Sequence, residues 1–235
     1  MTGSPLIVAL DHPEPEAALR LVERLGPTAG RYKVGSVLFT RAGPPLVRGL
    51  TDRGLGIFLD LKFHDTPATV TGAVGSALEL GVELLTIHAS GGAAMIEAAR
   101  SAVDRAGAPT RLLAVTVLTS LGEEEHRRIT GPRARPLAQA VRHLARLALE
   151  AGAHGLVASA GETAALRADV GSGPLIVVPG VRPAWSESDH VGQARTATPA
   201  EALKAGASHL VLGRAVTGAA DPVEALRRIQ AEIAA

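Results

Sequence analysis

Short apolar runs recur along the chain: LIVALD (6–11), YKVG (32–35), IFLDLK (57–62), LLTIHA (84–89), LLAVTVL (112–118), GLVASA (155–160), LIVVPGV (175–181) and HLVLGR (209–214). Each is too short for a helix, rich in Leu or β-branched residues, and bounded by Gly, Pro or a polar residue, so each reads as a strand. Their apolarity is continuous rather than alternating, which favours strands buried on both faces of a parallel sheet. Ala-rich segments with helical spacing lie between them. In EPEAALRLVERLG, Ala17, Leu21, Val22 and Leu25 share a face, and Gly26-Pro27 stops the helix. TATPAEALKAGA carries a Thr cap, a Pro in its first turn and a Glu shortly after, and ends at Gly206. ALELGVE, EAGAHG and LKAGASH share one junction, a helix ending at Gly directly before a strand.

Eight strands alternating with about eight helices fit an α/β fold, a single (β/α)8 TIM barrel over residues 1–235, near the ~250 residues usual for it. An open doubly wound sheet is the alternative. Both folds put functional groups at the C-terminal ends of the strands.

Composition narrows the function. A chain that is 46% hydrophobic is too apolar to be disordered. No apolar run approaches the roughly 18 residues of a membrane span. The opening MTGSPLIVALDHPEPE lacks the basic start of a signal peptide, so a cytoplasmic location is expected. A formal net charge of +1, with one Trp, one Tyr and three Phe, offers no footprint for nucleic acid. The absence of Cys excludes disulfides and thiolate chemistry.

Charges inside otherwise apolar strands cost free energy and need a reason. The first run ends in Asp11, the second contains Lys33, and the third ends in Asp60-Leu61-Lys62, followed by His64 and Asp65. Period-two alternation puts Asp60 and Lys62 on one side of the third strand with Phe58 beneath them, and Ile57, Leu59 and Leu61 on the other. A carboxylate beside it would keep Lys62 protonated and oriented, as a general acid requires. Mutual neutralisation of the two charges is the plainer alternative; Lys33, a second cation nearby, argues instead for an anionic substrate. Asp65 suits helix capping before Thr66-Pro67 nearly as well as catalysis. PGVRP (179–183) and LGR (212–214) place Gly beside Arg after the last two strands, where barrels often bind phosphate. His88 reads as a polar residue satisfied in the barrel mouth, Trp185 as an apolar loop contact, and His126 and His143 as helix-surface residues with no metal-ligand cluster.

DLKFHDTPATV (60–70), preceded by YKVG and an opening ALD, closely resembles the orotidine 5′-phosphate decarboxylase family, and AVTVLTS, VVPGVRP, the Gln193–Thr198-Pro199 spacing and LVLGRAVT follow in the family's order. The resemblance implies cofactor-free decarboxylation of orotidine 5′-monophosphate to UMP in de novo pyrimidine synthesis. It implies Lys62 as proton donor to C6, Asp60 beside the departing carboxylate, and Lys33 completing the charged array while contacting the ribose. Asp65 and Thr69 would reach the site of a partner subunit in a homodimer. Asp11 would hold a ribose hydroxyl and Thr119 the pyrimidine edge. Gln193, Gly213 and Arg214 would grip the phosphate, with Arg182 on the loop that closes over it. The nearest rival is a Mg2+-dependent sugar-phosphate decarboxylase or aldolase of the same suprafamily, which needs an acidic ligand where this chain has Lys33. A non-catalytic phosphate-binding barrel would have no use for three charges within strand ends.

Overall fold

The computed structural model describes residues 4–185 and 197–234. All eight expected strands form: β1 (Leu6–Ala9), β2 (Arg31–Gly35), β3 (Gly56–Phe63), β4 (Leu84–His88), β5 (Arg111–Val115), β6 (Gly155–Val157), β7 (Leu175–Pro179) and β8 (His209–Leu212). Each pairs in parallel with its neighbour in the sequence, and β1 pairs with β8, so the sheet closes into a barrel and the open-sheet alternative is excluded. Most strands stop short of the apolar runs, and Asp11, Thr119, Arg182 and Arg214, all beyond the strand ends, line the cavity at the mouth.

Around the barrel run α1 (Pro15–Leu25), α2 (Ser36–Thr51), α3 (Pro67–Leu78), α4 (Ala93–Ala106), α5 (Glu123–Thr130), α6 (Leu137–Glu150), α7 (Ala160–Val170), α8 (Pro199–Lys204), α9 (Arg214–Thr217) and α10 (Pro222–Ala234). The two beyond the expected eight are short, α5 preceding α6 and α9 following β8. The buried face of α1 is Ala18, Leu21, Val22 and Leu25. Ala18 replaces the expected Ala17, since positions 18, 21, 22 and 25 follow the 3.6-residue turn more closely. α8 has the expected start, with Thr198 and Glu201 forming a reciprocal capping box and Pro199 in the first turn. The repeated Gly junction is also physical. Gly81, Gly152 and Gly206 all adopt positive φ, the left-handed turn that releases the chain from helix to strand.

Two apolar layers hold the fold. Ile7, Ala9, Phe58, Leu84, Leu113, Val115, Val157, Val177 and Val211 fill the barrel interior. A larger cluster, including Ile57, Leu59, Leu85, Ile87, Leu112 and Leu210, packs between the strands and the helices. Each fully buried side chain of this kind contributes about 1.5–3 kcal/mol. Phe58 inward and Ile57 and Leu59 outward is the alternation expected for β3. His126 departs from expectation: it is buried, and its Nε2 lies 3.2 Å from the Arg135 carbonyl, tying α5 to the segment before α6. His143 is exposed as expected. No helix among the described residues is long and apolar enough to cross a membrane.

Candidate active site

The inward rows of the strands end at a cavity of about 340 Å³. Its floor is apolar, from Ala9, Phe58, Val115, Val157 and Val211. Its wall carries Asp11, Lys33, Asp60, Lys62, Thr119, Arg182, Gly213 and Arg214, so eight of the residues singled out from sequence meet in one place. Such a size and mixture suit a small polar ligand with an apolar face.

The Lys and Asp side chains of the wall form two ion pairs. Lys62 Nζ donates to Asp60 Oδ2 at 2.8 Å, and Lys33 Nζ donates to Asp11 Oδ1 at 2.7 Å. The hydrogen bond of Lys33 therefore runs to Asp11, across from β2 to the end of β1. Gly35 makes room for that pair, since a Cβ there would lie 3.0 Å from Lys33 Nζ. Asp60 is mostly buried and Lys62 about one-third exposed, so the ammonium faces the cavity while its partner is anchored in the wall.

β3 is irregular where it delivers Lys62. Lys62 has φ 51°, the one positive φ outside glycine among the described residues, and the pairing with β4 shifts register between Leu59 and Phe63. Such a conformation costs a Lys about 1–2 kcal/mol and needs local compensation. Thr86, fully buried on β4, supplies it. Its hydroxyl accepts the Lys62 N–H at 2.9 Å and donates to Asp60 Oδ1 at 2.9 Å.

Farther up, His88 ends β4 with its ring 5.3 Å from that of exposed His64. Burial, then the charge of His64 and that of Lys62, hold the His88 pKa below the ordinary imidazole value, favouring the neutral ring. Asp65 and Thr69 do not line the cavity; both belong to the exposed run 64–69. Asp65 Oδ1 accepts the Thr66 N–H at 2.6 Å, and the Thr69 and Thr66 hydroxyls are 3.0 Å apart. Thr66, not Asp65, is the N-cap residue of α3. Gln193 lies outside the described residues. On either side of that segment, the Arg182 N–H donates to the Ala197 carbonyl at 2.9 Å, and Trp185 lies under the Arg228 guanidinium, 4.0 Å from the ring centroid. Trp185 thus makes a cation–π contact with α10 as well as packing against the core.

Residues 4–229 match the model of the orotidine 5′-phosphate decarboxylase / HUMPS family. The chain belongs to this family. Within the orotidine 5′-phosphate decarboxylase / HUMPS family, it is 50% identical over 231 residues to an orotidine 5′-phosphate decarboxylase of Chromohalobacter salexigens, covering 98% of this chain and 96% of that one. It is 51% identical over 233 residues to the enzyme of that name from Moorella thermoacetica, with 97% and 91% covered. The crystal structure of orotidine 5′-phosphate decarboxylase from Lactobacillus acidophilus superposes with a TM-score of 0.87 at 38% identity, over 99% of this chain and all of that one. The closed barrel is thus that of an orotidine 5′-phosphate decarboxylase family enzyme.

Thr86 and Gly35 escaped the sequence reading. Thr86 sits in an apolar strand where it reads as an ordinary β-branched residue, and only its inward phase, two residues before His88, hinted at the mouth. Gly35 carried no signal beyond ending the second run.

Proposed function

We propose that the chain decarboxylates orotidine 5′-monophosphate to UMP and CO2 without a metal or other cofactor, as the last step of de novo pyrimidine synthesis. The observation carrying this reading is one cavity that combines the Asp60–Lys62 pair with Arg182, Gly213 and Arg214. The glycine backbone and guanidinium groups suit a phosphate. The fixed ammonium suits the opposite end, where the chemistry occurs.

In this reading the C6–carboxylate bond breaks, its electron pair stays on C6, and CO2 leaves. That carbanion has no π system to receive the pair. Lys62 stabilises the developing charge through its ammonium and then delivers a proton to C6, regaining one from solvent afterwards. Asp60 orients the ammonium and lies beside the departing carboxylate. Lys33 and Asp11, joined at 2.7 Å, present an ammonium and a carboxylate oxygen to the ribose hydroxyls. Thr119 meets the pyrimidine edge and Gln193 joins the phosphate grip. Asp65 and Thr69 act in the partner site of a homodimer; their exposure outside their own cavity supports that role.

The Mg2+-dependent sugar-phosphate reaction is the less favoured reading, although the family model spans both names. Lys33 places a cation where the metal would sit and would repel it. Relatives about half identical over nearly the whole chain carry the decarboxylase name. The test follows the ultraviolet absorbance of orotidine 5′-monophosphate mixed with EDTA-treated protein. Conversion to the UMP spectrum, unchanged by added Mg2+, is expected. Turnover only on adding Mg2+, or none by a folded protein, would overturn the proposal.

A further inference from the structure

We propose that Thr86 is a positioning residue for the proton donor, setting the catalytic geometry of Lys62 without touching substrate. The inference rests on the assignment of Lys62 as proton donor and adds a residue to that machinery. One hydroxyl spans both halves of the pair: it accepts from the Lys62 backbone N–H and donates to Asp60 Oδ1, both at 2.9 Å. Asp60 Oδ2, the remaining oxygen, receives the Lys62 ammonium at 2.8 Å. Thr86, Asp60 and Lys62 therefore form a closed ring of hydrogen bonds, running from the Lys62 backbone through Thr86 and Asp60 back to the Lys62 side chain.

The ring matters because Lys62 adopts a backbone conformation that a lysine does not choose. Its φ of 51° falls where the β3–β4 pairing loses register, so the regular ladder does not hold it. The Thr86 hydroxyl replaces the missing ladder partner. Without it, Lys62 would relax toward an extended conformation, and a strand residue that changes its phase turns its side chain away from the cavity. Asp60 would also gain a free oxygen and more than one way to meet the ammonium. Thr86 is fully buried on the inward row above Leu84, and no cavity-lining position belongs to it. Its effect must pass through Asp60 and Lys62.

Thr86→Val keeps the shape and removes the hydroxyl, and Thr86→Ser restores the hydroxyl without the methyl. In the orotidine 5′-monophosphate assay, Thr86→Val should lower kcat by roughly ten- to a hundredfold while KM stays within about twofold. Thr86→Ser should recover most of that kcat even if its thermal midpoint falls, because the missing methyl affects packing and not the ring. A Thr86→Val protein with wild-type kcat, or a Thr86→Ser protein as slow as Thr86→Val, would overturn the positioning role and leave Thr86 as core packing. Lys62→Ala is run alongside. Loss of turnover in Lys62→Ala with full turnover in Thr86→Val defeats this inference alone; full turnover in Lys62→Ala defeats the proton-donor assignment beneath it.

Discussion

Asp60→Asn isolates the electrostatic part of the proposed mechanism, because it keeps the shape of the side chain and removes its charge. Thr86 can still donate to the amide oxygen, so the β3–β4 junction survives. The oxygen that faces Lys62 Nζ at 2.8 Å becomes an NH2 group, and two donors then confront each other. Unit charges at that separation attract by about 6 kcal/mol at an effective dielectric near 20. The Lys62 side chain is 34% exposed, so solvent screens much of this and about 2–3 kcal/mol of net orientation is lost. If that loss falls on the transition state, kcat drops roughly 30- to 160-fold. KM should stay level or decrease, since a negative charge beside the substrate carboxylate has been removed. Steady-state and single-turnover absorbance measurements separate the two constants. A kcat within twofold of wild type, or a defect confined to KM, would refute the reasoning.

Three further outcomes are expected. Orotidine lacking its phosphate should be turned over more slowly as well as bound more weakly, and Arg214→Ala should impose a similar double loss on the natural substrate, because remote binding energy is used at the reacting carbon; equal kcat values for the two substrates would argue against this. Mixing inactive Lys62→Ala and Asp65→Ala proteins and allowing subunits to exchange should restore roughly a quarter of wild-type activity, since half the dimers are hybrids with one intact site of two; no recovery would place Asp65 outside the partner's site. Stability should fall as pH drops through about 6.5. His154 Nδ1 accepts the Leu112 N–H at 2.9 Å, and burial, followed by Arg100 and Arg111, pushes its pKa below the ordinary value. The unfolded chain therefore binds more protons than the folded one between the lowered value and 6.5, so protonation favours unfolding in that window. His209 and His88 shift in the same direction, chiefly through burial. Thermal midpoints from pH 7.5 to 5.5 should decline, less steeply for His154→Asn, and a flat profile would contradict the linkage.

The barrel was legible because the strands are short and largely apolar without alternation, a pattern that favours two-sided burial, and because Gly81, Gly152 and Gly206 mark the same helix-to-strand turn. The charged members of the site were legible for the complementary reason: Asp11, Lys33, Asp60 and Lys62 interrupt apolar runs at a free-energy cost. What sequence could not supply was partner choice. The pairing of Lys33 with Asp11 joins residues 22 positions apart through the β1–β2 register, and the Thr86 bridge depends on a register shift between β3 and β4. Neither leaves a periodic trace. His126 was misplaced because a polar residue on a short charged helix looks solvated until its neighbour Arg135 folds its carbonyl back onto the ring.

The central claim is that the Lys62 ammonium drives loss of CO2 from C6. Its most direct test compares wild type with Lys62→Ala in one experiment, following orotidine 5′-monophosphate absorbance with EDTA present and folding checked by circular dichroism. Rapid formation of UMP by wild type, with turnover lost in a folded Lys62→Ala protein that still binds UMP, is the expected result. Comparable turnover by both proteins would contradict it.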